Sequence, residues 1–175
     1  MIKIAINADL KHYSFLIKET APYKHIKKCI LIFGLLFLIS LIFTVVNGAQ
    51  NNRIDTMLAM LTAVLLGAFI GFALRLKKMD PIKLHEKFKS SNPDLLGENV
   101  FNSEGVVIDA HTDFGDKHSV YTYDKFCSAV EKDGFFLVSI PVGGYIVFNN
   151  SDFIEGSPDE LRALFREKLG AKYKV

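Results

Sequence analysis

Two stretches of the chain alternate nothing: they are apolar throughout and carry no charge. Residues 29–46 read CILIFGLLFLISLIFTVV and residues 57–74 read MLAMLTAVLLGAFIGFAL. At 1.5 Å per residue in an α-helix, about 18 residues span roughly 27 Å, close to the hydrocarbon thickness of a bilayer. The pattern predicts a transmembrane helical hairpin over residues 26–78, with spans at about 29–46 and 57–74 and a short polar loop between them.

On either side the pattern changes. Residues 1–7 (MIKIAIN) alternate apolar and polar, which predicts a strand. Asp9 is placed to cap a helix containing Tyr13, Phe15, Leu16 and Ile17, and Pro22 ends or kinks that helix. Residues 1–25 thus form an N-terminal strand and a juxtamembrane helix. Residues 79–175 hold short apolar pieces at hairpin spacing. Asn102 to Gly105 is a turn cluster, Asp133-Gly134 is a favoured hairpin turn, and Pro141 to Gly144 is another turn. FFLVSI at residues 135–140 is the best strand, answered by YIVF at 145–148. Ser157 and Glu160 form a capping box with Pro158 in the first turn, and Leu161, Leu164, Phe165 and Leu169 mark one apolar helix face before Gly170. The fold class is α+β: a two-helix transmembrane hairpin followed by a small antiparallel sheet with one C-terminal helix.

Charge adds orientation. The net charge is only +2, but residues 1–28 carry six lysines against two acids. Residues 75–90 carry six bases against two acids, and residues 91–175 carry fourteen acids against eight bases. The loop holds one arginine and one aspartate. Basic outer flanks place both termini in the cytoplasm of a bacterial cell, with the hairpin in the inner membrane. Lys24, Lys27, Lys28, Arg75, Lys77 and Lys78 sit at the membrane interface, where each is worth on the order of 1 kcal/mol against anionic headgroups. The acidic distal part argues against nucleic acid as a partner. A cleaved signal peptide does not fit, because the leader and the apolar run are too long and a second span follows. The two cysteines, Cys29 and Cys127, make no disulfide framework.

Within the second span, Ala59, Ala63, Gly67 and Gly71 recur every fourth position. Such a ridge lets helix backbones approach closely, with the first span near Gly34 and Ser40 as partner, or a second copy of the chain in a homo-oligomer. No Asp, Glu, Lys, Arg or His lies inside either span, which argues against a transporter or a channel.

Asp109, His111, Asp113, Asp116 and His118 crowd into ten residues. On a strand, residues 109, 111 and 113 share a face, so Asp109, His111 and Asp113 could converge with His118 on a metal ion. The plainer reading is the solvent face of a hairpin. Cys127 beside a histidine would make a nucleophile pair, but no local signature accompanies it, and a buried structural thiol is the expected role.

The layout as a whole resembles the YcxB-like family of bacterial membrane proteins. Residues 135–153 (FFLVSIPVGGYIVFNNSDF) match its aromatic strand, turn and following strand, with Ile146, Val147 and Phe153 on its motif. Phe148 and Asn149 stand where that motif has proline and lysine. The family's C-terminal helix corresponds to ELRALFREKL at residues 160–169, and Tyr123 takes the place of a family tryptophan. The resemblance implies a pleckstrin-homology-like fold for the distal domain, and no reaction. The expected function is a non-enzymatic, membrane-anchored protein, without cofactor, whose cytoplasmic domain binds another protein. An immunity or inhibitor protein against a membrane-active toxin, and a membrane-tethered metal-dependent hydrolase, are the alternatives.

Overall fold

The computed structural model describes residues 1–51, 53, 55–93, 95–112, 115–141 and 144–175. They divide into two compact units: residues 17–80, and a second unit built from residues 1–16 together with 81–175. The helical hairpin is therefore an insertion in an α+β domain. This corrects the division expected at 1–25, 26–78 and 79–175, and the cause is strand pairing. Strand β1 (Ile2–Ala5) is no separate appendage. It pairs antiparallel with β2 (Leu96–Phe101), Ile2 opposite Phe101, and on its other side with β8 (Phe153–Glu155).

The domain holds two sheets rather than one. The first has the order β4-β3-β2-β1-β8, with β3 at Gly105–Thr112 and β4 at Gly115–Thr122. The second has the order β7-β6-β5-β9, with β5 at Ser128–Lys132, β6 at Phe135–Ile140, β7 at Gly144–Asn149 and β9 at Tyr173–Lys174. Every described pairing is antiparallel except β5 with β9, which is parallel because the C-terminal helix carries the chain back before β9. At the β5–β6 turn both Asp133 (φ 52°) and Gly134 (φ 77°) are left-handed, the conformation a two-residue type I′ turn demands.

One core serves both sheets. Phe101, Phe136, Phe148 and Phe165 are fully buried, with ring centroids 5.2–5.8 Å apart in the pairs Phe101–Phe148, Phe101–Phe165 and Phe136–Phe148. Burying a phenylalanine contributes about 1.5–3 kcal/mol, so this group supplies much of the domain's drive to fold. Helix α5 (Pro158–Leu169) closes the core with Leu161, Phe165 and Leu169. Ser157 caps it, accepting from the Glu160 N–H. Tyr123 is buried in a short 3₁₀ turn between β4 and β5, its hydroxyl donating to the Asn102 carbonyl at 2.8 Å.

Two helices flank the sheets. Helix α1 (Leu10–Glu19) starts where Asp9 accepts from the His12 N–H, as the capping pattern predicts. Pro22 does not end it; α1 stops at Glu19, and Pro22 lies in the first turn of α2 (Ala21–Asn51), where its missing N–H costs nothing. Helix α4 (Pro81–Ser91) was not expected from the pattern. Pro81 takes its first position, where proline is well placed to open a helix. Tyr13 of α1 packs on Phe88 of α4.

The inserted unit consists of α2 and α3 (Thr56–Lys78), both long and apolar enough to cross a membrane. Large aliphatic side chains stay exposed along both, Leu31 at 71 % and Val64 at 68 %. Asp55 caps α3 through the N–H groups of Met57 and Leu58. The seam between the helices is polar at its middle. Ser40 Oγ lies 2.6 Å from Thr62 Oγ1, which lies 3.0 Å from Thr44 Oγ1. Gly34 gives the ring of Phe69 room, since a Cβ there would sit 3.2 Å from it, and Phe33 stacks on Phe72.

Gly34 and Ser40 are therefore seam residues, but the ridge expected to face them is not. Ala63, Gly67 and Gly71 are exposed, Ala59 is half-buried, and a Cβ at Gly67 or Gly71 would meet nothing within 4 Å. The seam of α3 follows Thr62, Phe69 and Phe72 instead, because a threonine hydroxyl and aromatic rings bring more contact and hydrogen bonding than a strip of small residues.

Candidate functional site

The longest and most open edge of either sheet is β4. It has eight residues, Ser119 and Tyr121 are its only half-buried ones, and no described strand lies beyond it. The other edge strand of its sheet, β8, has three residues, and β9 at one edge of the second sheet has two. Strand β7, at the remaining edge, buries Ile146 and Phe148. An edge strand presents a row of unpaired N–H and C=O groups, which is a template for another strand. Val120, 57 % exposed, adds an apolar side chain to it.

The β3–β4 register explains where the histidines and carboxylates go. Asp109 stands opposite His118, and His111 opposite Asp116. Each opposed pair bonds across the ladder: His118 Nδ1 to Asp109 Oδ1 at 2.6 Å, and His111 Nδ1 to Asp116 Oδ1 at 2.8 Å. The hydrogen bond to Asp116, and then its negative charge, raise the pKa of His111 above the ordinary 6.5. The expected convergence of Asp109, His111 and Asp113 with His118 does not form. Cross-strand geometry splits the set into two solvent-exposed pairs, and among the described residues no group of three or more His, Cys, Asp or Glu side chains could hold a metal ion. Asp113 lies outside the described residues. Cys127 is exposed rather than buried, because it lies ahead of β5 with only its N–H tied down, donating to the Ser139 carbonyl.

The basic residues flanking the spans take the ends of the hairpin helices. Arg75, Lys77 and Lys78 form the last turn of α3, where cations complement the helix dipole. In α2, Lys24 pairs with Glu19, and Lys27 lies 5.7 Å over the Tyr23 ring. Lys28 is exposed, and His25 Nδ1 lies 3.3 Å from Cys29 Sγ.

One polar constellation left no mark in the sequence pattern. His12 of α1 is 2 % exposed, with Nδ1 at 2.6 Å from Asp9 Oδ1 and Nε2 at 2.6 Å from Asp152 Oδ2. Asp152 also accepts from the Asn149 N–H and from the Asn7 carboxamide. Both ring nitrogens face carboxylate oxygens. Asp9 could have served as a signal, since a helix-capping aspartate three residues before a histidine can bond it; Asp152, 140 positions away, could not. Among the described residues no hydroxyl or thiol bonds this histidine, and the arrangement holds α1 to the β7–β8 turn.

Comparison with known proteins adds no relative: no family model matches the chain, no curated protein is similar to it, and no solved structure matches its fold.

Proposed function

We propose that this chain is a non-enzymatic protein of the bacterial inner membrane, two-pass, with both ends in the cytoplasm, whose α+β domain binds a segment of another protein by strand addition at β4. The carrying observation is the eight-residue open edge of β4. Main-chain hydrogen bonds to such an edge give affinity, and alternate side chains give selectivity. The excess of acids over bases in residues 91–175 favours a basic segment as the partner and disfavours anionic lipid or nucleic acid. Two sheets sharing one core under a C-terminal helix agree with the pleckstrin-homology-like architecture that the YcxB-like resemblance implies.

The same layout supports this topology. Strands from residues 2–5, 96–101 and 153–155 meet in one sheet, which favours both ends of the inserted hairpin lying on one side of the bilayer. The basic flanks select the cytoplasmic side.

A proline scan over residues 117–120 tests the binding mode. In an edge strand, alternate N–H groups point away from the sheet, and proline there removes a donor without breaking the ladder. Partner capture by a photocrosslinker at Thr122 should fall at alternate positions of the scan while the domain stays folded. Capture that is indifferent to all four prolines would overturn strand addition.

A further inference from the structure

The α+β domain holds a pocket of about 240 Å³, open to solvent on one side, between α1, α4, the inner face of the first sheet and β7. Its walls are largely aliphatic and aromatic, including Ile6, Leu16, Phe88, Leu95, Ile108 and Val147. Asn99 interrupts this lining. It sits in β2 with Ile4 opposite on one side and Ile108 opposite on the other, so it occupies a core position in an otherwise aliphatic row. It is 3 % exposed, and its carboxamide makes no hydrogen bond to any described residue. No buried side-chain nitrogen or oxygen among the described residues is sealed off without a partner, so the Asn99 amide opens into the cavity it lines.

A buried amide with spare donors and a spare acceptor is costly unless something meets it. Water that reaches the amide through the open side is displaced by a ligand that offers the same hydrogen bonds together with apolar contact. His12, also in the wall, has both nitrogens taken by Asp9 and Asp152, and the Asn7 amide nitrogen donates to Asp152. The two aspartates beside the cavity also disfavour an anionic ligand.

We infer that the cavity is a binding site for a small, neutral, largely apolar molecule that carries one amide-like group, held by Asn99. An apolar cavity of about 150 Å³ accommodates benzene, so this volume accommodates on the order of ten non-hydrogen atoms. An aromatic carboxamide matches in size, and its amide pairs with the Asn99 carboxamide as donor and acceptor together. This site is separate from the β4 edge, and its failure would leave strand addition standing.

Benzamide is the probe, and isopropylbenzene, of similar size and without a polar group, is its control. The full chain is purified in detergent with its amides labelled for NMR. Benzamide should move the Asn99 side-chain resonances saturably. Asn99→Leu should weaken benzamide roughly tenfold or more while leaving isopropylbenzene bound at least as well, because only the polar pairing is lost. Ile108→Trp fills the cavity and should abolish binding of both, in the same detergent and with the thermal transition retained; Leu16→Trp serves if that variant does not fold. Benzamide bound equally by the parent and by a folded cavity-filled variant would overturn the site. Equal affinity in parent and Asn99→Leu would overturn the role of Asn99.

Discussion

His12 and Asp152 are 140 positions apart in the chain and 2.6 Å apart in the fold, Nε2 to Oδ2. Asp152 is nearly as buried as His12. The pair fastens the helix that precedes the apolar hairpin to the turn between β7 and β8. Removing one partner leaves a buried polar group without its hydrogen bond. His12→Ala should therefore destabilise the domain by about 3 kcal/mol, and a double-mutant cycle with Asp152→Ala should return a coupling of at least about 1.5 kcal/mol. Chemical denaturation of the two single variants and the double variant measures both.

The Glu131–Arg162 pair predicts an acid limb. Arg162 donates to Glu131 through Nε at 3.0 Å and Nη2 at 2.7 Å, and the Tyr173 hydroxyl donates to the same carboxylate. The Arg162 hydrogen bonds, outweighing burial, hold the Glu131 carboxyl below its ordinary 4.5. A depressed folded-state pKa contributes stability that is present above the unfolded value and is lost as pH falls through the folded one. Asp9 acts in the same direction: burial works to raise it, but the His12 N–H and ring together hold it below 3.8. Glu131→Gln should cost about 1–3 kcal/mol at neutral pH and flatten the stability profile below about pH 4.5, measured by denaturation across pH.

In the hairpin, Thr62 and Gly67 make opposite predictions. Thr62→Val removes the bonds to Ser40 and Thr44 and should weaken helix association by about 0.6–2 kcal/mol. Gly67→Leu adds a side chain where nothing lies within 4 Å and should leave the hairpin's stability in detergent unchanged. A thermal shift assay on the two variants decides whether the hydroxyls or the small residues form the seam.

His111 supplies a direct titration. Its pairing with Asp116 raises its pKa, so its protonated form persists above pH 6.5 and whatever the pair contributes disappears as pH rises through the folded value. NMR titration should find His111 above 6.5 in the parent and closer to 6.5 in Asp116→Asn.

What the sequence disclosed was local. The FFLVSI strand, the Asp133-Gly134 turn, the Asp9 and Ser157 caps and the turn at Asn102 to Gly105 are short-range devices, and each is written in adjacent residues. What stayed hidden was long-range. That Ile2 faces Phe101 across a hairpin insertion leaves no local trace, and so residues 1–25 looked like a separate piece. Gly67 looked like a contact because spacing alone cannot say which helix face meets a neighbour. The metal reading of Asp109 and His111 assumed that a shared face means a shared ligand, whereas each found its partner directly across the ladder. Asn99 reads as an ordinary polar residue of an alternating strand, and only the burial of its row marks it out.

Cysteine accessibility in intact bacterial cells tests the central claim, a membrane hairpin inserted in a cytoplasmic domain, most directly. In a background with Cys29 and Cys127 replaced by serine, single cysteines at Arg53, Lys3 and Lys117 are challenged with a membrane-impermeant maleimide. Arg53→Cys should label on intact cells, and Lys3→Cys and Lys117→Cys only after the membrane is opened. Labelling of Lys3→Cys or Lys117→Cys on intact cells, or recovery of the chain in the soluble fraction, would contradict the account.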